Sequence, residues 1–142
     1  MKIFLTLSKR SLAVILAVLL IVIILCAQYL SSTAAKIDGS THAKRMTYLN
    51  SVKLFVDDSS FSKKEILIPE TFSPTFESYN NLQKKSGFDL KKHKGKYATV
   101  YSYPLGRSQT VNLIVLKGEI IGGDISENKA GGEIKGLIKG TI

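Results

Sequence analysis

Residues 97–125, YATVYSYPLGRSQTVNLIVLKGEIIGGDI, decide the fold of this chain. Side chains alternate along residues 97–103 with the two-residue period of a strand, and residues 111–116 are almost entirely apolar, as in a central strand. Residues 117–118, Lys-Gly, are typical of a two-residue hairpin turn, after which residues 119–125 return antiparallel. The stretch therefore predicts three neighbouring antiparallel strands.

Gly122, Gly123 and Asp124 interrupt the last of these strands. Glycines inside a strand indicate a bulge or a close backbone approach, and an aspartate there caps or turns the chain. A Gly-Gly-Asp run also occurs in diguanylate cyclases, but Ile125 and Ser126 stand where acidic and aromatic residues should follow. We therefore predict a structural turn at these three residues.

Two helices are predicted before the strands. Ser40 or Thr41 can cap a first helix that runs through Val52. Ser73 is placed to cap a second helix, and Pro74 suits its first position. The apolar stripes that these helices would bury are Met46, Leu49 and Val52 in the first, and Phe76, Tyr79 and Leu82 in the second.

Shorter signals complete the pattern. Residues 54–56 (LFV) are strand-like, and residues 65–68 (EILI) indicate a strand that Pro69 closes. Gly87 suits a left-handed helix C-cap, after which Phe88 can fold back onto Leu82. We expect an α+β fold, in which an N-terminal transmembrane helix precedes two helices packed on a mainly antiparallel sheet of about four strands.

Residues 12–30 form an apolar run close to the ~20 residues that a membrane-spanning helix needs. Lys2, Lys9 and Arg10 precede this run, and no positive residue follows it until Lys36. By the positive-inside rule, the N-terminus is cytoplasmic and the rest of the chain lies outside. The pattern predicts a single-pass protein of the cell membrane.

A cleaved signal peptide is the alternative to this anchor, because the small residues 32–35 would suit signal peptidase. The apolar run exceeds the ~7–15 residues of a typical signal core, so we favour a retained anchor. Cys26 is the only cysteine, and residues 23–25 before it are too large for a lipoprotein signal. Under both alternatives the C-terminal domain is exported.

Four parts follow from these patterns: a basic cytoplasmic N-terminus (1–11), the anchor (12–30), a linker (31–40) and an extracytoplasmic α+β domain (41–142). The formal net charge is +9, so the expected partners, besides the membrane that holds the anchor, are anionic lipid headgroups or wall polymers. Nucleic acid is disfavoured by the extracytoplasmic location.

A lysine cluster is the strongest local concentration of charge, and Asp89 is the only acidic residue inside it. Its members, which we predict to contact an anionic surface, are Lys84, Lys85, Lys91, Lys92, Lys94 and Lys96. Tyr97, Tyr101 and Tyr103 share one face of a strand and would either stack on sugars or peptides or cover a helix.

Catalytic, metal-binding and cofactor-binding patterns are not found. His42 and His93 lack acidic or cysteine neighbours at ligand spacing, and no glycine-flanked serine indicates a hydrolase. We predict no catalytic residue, no metal and no cofactor. The favoured function is a non-enzymatic accessory or binding domain of the bacterial cell envelope. The alternative is a small envelope enzyme or inhibitor that uses Asp124 and Glu127.

Residues 69–126 resemble a domain-of-unknown-function family of Firmicute bacteria, the family numbered 4830. The resemblance lies in residues 79–90 (YNNLQKKSGFDL), residues 94–96 (KGK) and residues 118–125 (GEIIGGDI). It implies one N-terminal membrane segment and a small extracytoplasmic α+β domain. The family has no assigned activity, so the resemblance implies fold and location only.

Overall fold

The structure is a computed structural model that describes residues 9–32 and 36–137. It separates into two compact units, Met1–Ala35 and Lys36–Ile142. Helix α1 (Lys9–Ser32) belongs to the first unit, and its window Arg10–Ala27 has a mean hydropathy of 2.9 and no buried residue. At 1.5 Å per residue α1 is about 36 Å long, which exceeds the ~30 Å of a bilayer core. The predicted apolar helix is confirmed as one long and apolar enough to cross a membrane.

An antiparallel sheet of six strands forms the second unit. Its order is β1-β5-β4-β3-β2, and β6 pairs with the same edge of β5 as β1, further along that strand. The strands are β1 (Ile37–Asp38), β2 (Ser62–Leu67), β3 (Tyr97–Leu105), β4 (Gln109–Leu116), β5 (Glu119–Glu127) and β6 (Ile134–Gly136). The α+β class and the antiparallel sheet are confirmed, with β4 at the centre as predicted.

The prediction of about four strands was wrong, because β1 and β6 were missed. Each is only two or three residues long and therefore too short to show a period in the sequence. The predicted linker 31–40 also differs, since α1 continues to Ser32 and β1 pairs with β5 inside that range.

Helices α2 (His42–Ser51) and α3 (Pro74–Lys85) cover opposite faces of the sheet. Thr41 caps α2 and Ser73 caps α3, whose first residue is Pro74, as predicted. Odd-numbered side chains of β3 and β4 pack with α2 in a first core, and even-numbered ones pack with α3 in a second core, because side chains alternate along a strand. The first core includes Leu49, Tyr103, Val111 and Leu113, and the second includes Ile68, Ala98, Ile114 and Phe76.

Residues 54–56 are not a strand, contrary to prediction. Both edges of the nearby strand β3 are occupied, by β2 and β4, and the segment packs against the first core instead. Leu54 and Val56 contribute to that core, and Phe55 between them faces solvent.

The two ends of the sheet are distinct. At the turn end, Lys117 and Gly118 join β4 to β5, β1 brings the chain into the sheet, and β3 begins. At the loop end, residues 106–108 join β3 to β4. A 3-10 helix, Leu90–His93, leads from α3 into β3 and lies at the turn end.

Candidate functional site

The lysine cluster occupies the turn end in part. Lys92, Lys94 and Lys96 lie in or after the 3-10 helix that leads into β3. Lys84 belongs to the same surface, since its charge and that of Lys92 lower the pKa of Asp89. Lys85 faces elsewhere and lines a groove with Ile37, Tyr48 and Leu137. The fold therefore brings five of the six predicted lysines together.

Neighbouring acids offset part of the charge of this cluster, and one aromatic ring contacts it. Glu77 of α3 forms a 2.8 Å ion pair with Lys91, so Asp89 is not the only acidic residue beside the lysines. Lys94 places its ammonium 5.2 Å from the centre of the Phe72 ring, a cation–π contact. The charges that remain available for an anionic surface are those of Lys84, Lys92, Lys94 and Lys96.

Gly122 and Gly123 lie where β5 passes close to α3 and to β4. The register of β4 and β5 shifts here, so that Ile121 is an extra residue in a bulge. A Cβ on Gly122 would lie 3.0 Å from Oε1 of Gln83, and one on Gly123 would lie 2.6 Å from the carbonyl oxygen of Asn112. Close packing therefore excludes a side chain at Gly123 and leaves little room for one at Gly122. Both residues continue strand β5, so the predicted turn is not formed there, and the irregularity is the bulge at Ile121.

Gln83 explains why the packing is so close. This residue is fully buried, and its side-chain amide donates to the carbonyl of Gly123 at 3.0 Å and accepts from the N–H of Gly123 at 2.9 Å. The amide thereby satisfies a stretch of the β5 edge that lies between β1 and β6. A glutamine inside an amphipathic helix gives no sequence signal for this role, and we did not predict it.

Asp124 is buried, with 6% of its surface exposed, but it does not turn the chain. It accepts hydrogen bonds from the hydroxyl of Tyr79 at 2.6 Å and from the side-chain amide of Asn112 at 2.8 Å. Burial raises the pKa of Asp124, and the two hydrogen bonds oppose that rise. Burial and the charge of Asp124 together raise the pKa of Tyr79. The network ties α3 to the sheet.

Asp124 and Glu127 do not converge, because residues three apart on a strand point to opposite faces. Glu127 instead pairs with Lys129 at 2.9 Å and accepts the backbone N–H of Glu133 at 3.2 Å. The carboxylate pair that the enzyme alternative requires is therefore not formed. Across residues 9–32 and 36–137, no three His, Cys, Asp or Glu side chains group as a metal site.

The three tyrosines do not form one stacking face. Tyr103 is fully buried under α2 and its hydroxyl accepts from Nε of Arg45 at 2.8 Å. The Arg45 guanidinium lies 3.7 Å from the centre of the Tyr101 ring. Tyr97 is exposed at the turn end. Two of the three therefore cover a helix, which is the structural alternative that we had left open.

His42 and His93 are half-buried rather than fully exposed. His42 stacks on Phe61 with ring centres 5.2 Å apart. Burial lowers the pKa of His93, and the charge of Lys96 lowers it further. Each has a buried Nδ1 with no hydrogen-bond partner in the described part of the chain. Both histidines pack against the domain, and neither belongs to a candidate metal site.

Comparison with known proteins identifies no relative: no protein-family model, no curated protein and no solved structure matches the chain. The resemblance to the Firmicute family stays a prediction.

Proposed function

We propose that this protein is a membrane-anchored, non-enzymatic binding domain of the cell envelope. Helix α1 holds it in the membrane and the second unit lies on the extracytoplasmic side. Supporting this orientation, Lys9 and Arg10 stand at the start of α1, and its last turn contains no basic residue.

The proposed ligand of the turn end is the anionic headgroup surface of the same membrane. One observation supports this proposal most directly. The lysine cluster lies at the same end of the sheet as β1, through which the chain enters the domain. Only residues 33–35 separate α1 from Lys36 in the sequence. Exposed lysines at the end of the sheet where the chain enters the domain are suited to contact lipid phosphates.

Vesicle sedimentation tests this proposal. Residues 36–142 contain both cores and the whole sheet, and a cooperative thermal melt would show that they fold alone. We expect them to bind phosphatidylglycerol vesicles and not to bind phosphatidylcholine vesicles. Added salt should release them, because exposed charges are screened over ~8 Å at physiological ionic strength. Equal binding to both vesicle types would refute a headgroup ligand.

Topology has a separate test. Cys26 is the only cysteine, so Cys26→Ser gives a background in which Ser108→Cys supplies the one thiol. We expect a membrane-impermeant maleimide to label Ser108→Cys in intact cells. Labelling only after lysis would place the domain in the cytoplasm. A mature N-terminus at Ala35 or Lys36 would show that α1 is cleaved and that the domain is secreted.

A further inference from the structure

A cleft of about 640 Å³ opens at the loop end of the sheet, away from the lysine cluster. It lies between the 106–108 loop, the segment that follows α2, and β6. Its volume is within the ~300–1,000 Å³ of small-molecule sites. The polar, charged and aromatic side chains that line it are Lys53, Phe55, Arg107, Ser108, Gln109 and Lys135.

The cleft is positively charged and its lining includes no acidic residue. Lys135 pairs with Glu133 at 3.2 Å, outside the lining. Lys53 and Arg107 form no ion pair within residues 36–137. Two cations without an ion-pair partner therefore line the cleft, which favours an anionic ligand.

Lys53 is held in a backbone conformation that glycine usually occupies. It follows the C-cap of α2 with φ +60°, and its N–H donates to the carbonyl of Asn50 at 3.0 Å. The next N–H, of the buried Leu54, donates to Leu49 at 2.9 Å, which fixes the turn. A side chain at a left-handed C′ position is disfavoured relative to glycine. Strained residues of this kind concentrate at functional sites.

The rest of the lining suits a sugar. Phe55 is 74% exposed, and it is held outward because Leu54 and Val56 on either side pack into the first core. The side chains of Ser108 and Gln109 form no hydrogen bond within the described residues and are available to ligand hydroxyls. An aromatic face, hydroxyl and amide groups, and cations are the groups that recognise a sugar ring bearing acidic substituents.

We propose that the loop-end cleft binds a saccharide that carries carboxylate or phosphate groups. Arg107 and Lys53 contact the anionic groups, Phe55 stacks on a ring, and Ser108 and Gln109 bind hydroxyls. This ligand is distinct from the lipid headgroups proposed for the turn end, and either proposal can fail without the other.

Calorimetry on the full chain in phosphatidylcholine nanodiscs tests the ligand class. The probes are tetragalacturonate, glucose 6-phosphate, neutral maltotetraose, a tetraglutamate peptide and inorganic phosphate. We expect tetragalacturonate to bind at least ~10-fold more tightly than maltotetraose, which lacks the charges, and than tetraglutamate, which lacks the rings. We also expect glucose 6-phosphate to bind more tightly than inorganic phosphate, because its sugar ring adds to the binding free energy. Equal affinity for tetraglutamate would overturn the saccharide in favour of an acidic peptide. Absence of binding by both anionic sugars would overturn the site.

Variants assign the roles. Arg107→Ala should weaken tetragalacturonate binding by roughly 10-fold or more, because a charge-assisted contact is lost. Phe55→Ala should weaken binding of the sugar and leave binding of inorganic phosphate unchanged. Unchanged sugar affinity in both variants would place the ligand elsewhere.

A matched pair removes folding as an explanation. Lys117 at the turn end also has a positive φ, of +50°. Lys53→Gly and Lys117→Gly should both raise Tm, but only Lys53→Gly should weaken tetragalacturonate binding. Equal loss in the two variants would show that the effect is one of overall charge and would overturn the role of Lys53.

Discussion

The turn end and the loop end of one sheet carry their positive charge in different ways. At the turn end, Lys91 is paired with Glu77 at 2.8 Å and Lys94 lies over the Phe72 ring. At the loop end, Lys53 and Arg107 have no ion-pair partner within residues 36–137. The turn-end lysines are close together in the sequence, whereas the loop-end cations are far apart. Sequence density therefore identifies the free cations of the turn end, Lys84, Lys92, Lys94 and Lys96, but not those of the loop end.

The two ends also share a feature. Within the described residues, the non-glycine positions with a positive φ are Lys53 and Lys117, one at each end. The regular sheet between them is held by buried groups such as Gln83 and Asp124, which have their hydrogen-bond partners inside the domain. The comparison thus separates a structural middle from two basic ends, and each part can be tested.

The largest expected effect is in the middle of the sheet. Gln83→Leu removes both partners of the buried Gly123 backbone, and we expect the free energy of unfolding to fall by about 2–4 kcal/mol, since each unsatisfied buried group costs ~1–3 kcal/mol. Urea unfolding measures this loss. Asn81→Leu, on the exposed side of α3, is the matched control and should change stability little. Equal losses in both variants would contradict the edge-capping role.

The next effect concerns the turn end. Lys92→Ala with Lys94→Ala should weaken binding to phosphatidylglycerol vesicles by about 2 kcal/mol, or ~30-fold, at ~1 kcal/mol for each lysine near the surface. The matched control is Lys63→Ala with Lys64→Ala, which removes two exposed lysines from β2. If the control weakens binding as much, net charge rather than the lysine cluster governs attachment.

A smaller effect connects the two ends. Replacing Lys53 or Lys117 by glycine relieves a left-handed conformation that costs ~1–2 kcal/mol. Glycine also loses more conformational entropy on folding, which offsets ~0.5–1 kcal/mol of that stabilisation. We expect each variant to gain about 0.5–1 kcal/mol, which thermal unfolding would show as a rise in Tm of ~2–8 °C. A fall in Tm at either position would mean that the lysine side chain stabilises its own turn.

The smallest expected effect is on how the free energy of unfolding depends on pH. Burial raises the pKa of Asp124 above its ordinary 3.8, so the folded state keeps this proton to a higher pH than the unfolded state. The contribution of Asp124 to stability is therefore fully present below pH 3.8 and is lost as pH rises through the raised value. Asp38 and Asp89, whose pKa values are lowered, act in the opposite direction.

Asp124→Asn isolates this contribution. The asparagine keeps the shape of the side chain. In the wild-type protein the hydroxyl of Tyr79 donates to Asp124, and in the variant the asparagine amide can donate to that hydroxyl instead. Relative to this variant, the wild-type protein should lose stability as pH rises from 3.8 towards neutrality in urea unfolding. A difference that is constant with pH would show that Asp124 keeps an ordinary pKa.

Much of the local structure was predictable because it depends on near neighbours. Ser73 and Pro74 begin α3, and the Lys117–Gly118 turn with both φ angles positive joins two strands whose patterns are visible in the sequence. The short strands β1 and β6 were not predictable, since they exist only where β5 offers an unpaired edge. The 54–56 segment was not a strand because Leu54 and Val56 pack into the first core, beside β3, whose two edges are taken by β2 and β4.

Of the two candidate sites, one was visible in the sequence and the other was not. The lysine cluster was predictable as a local concentration of charge, but its ion pair with Glu77 was not, because α3 must first pack beside the 3-10 helix. The loop-end cleft had no local signal, since Lys53, Arg107 and Lys135 come from three separate segments.

The sequence by itself determined an apolar N-terminal helix, the helix caps, the hairpin turn and the basic charge, since each depends on residues within a few positions of one another. Tertiary structure alone decided the order of the strands, the placement of α2 and α3 on opposite faces, the pairing of Gln83 with Gly123 and the gathering of cations at the loop end. These features require chain segments far apart in the sequence to meet, and only burial of the two cores brings them together.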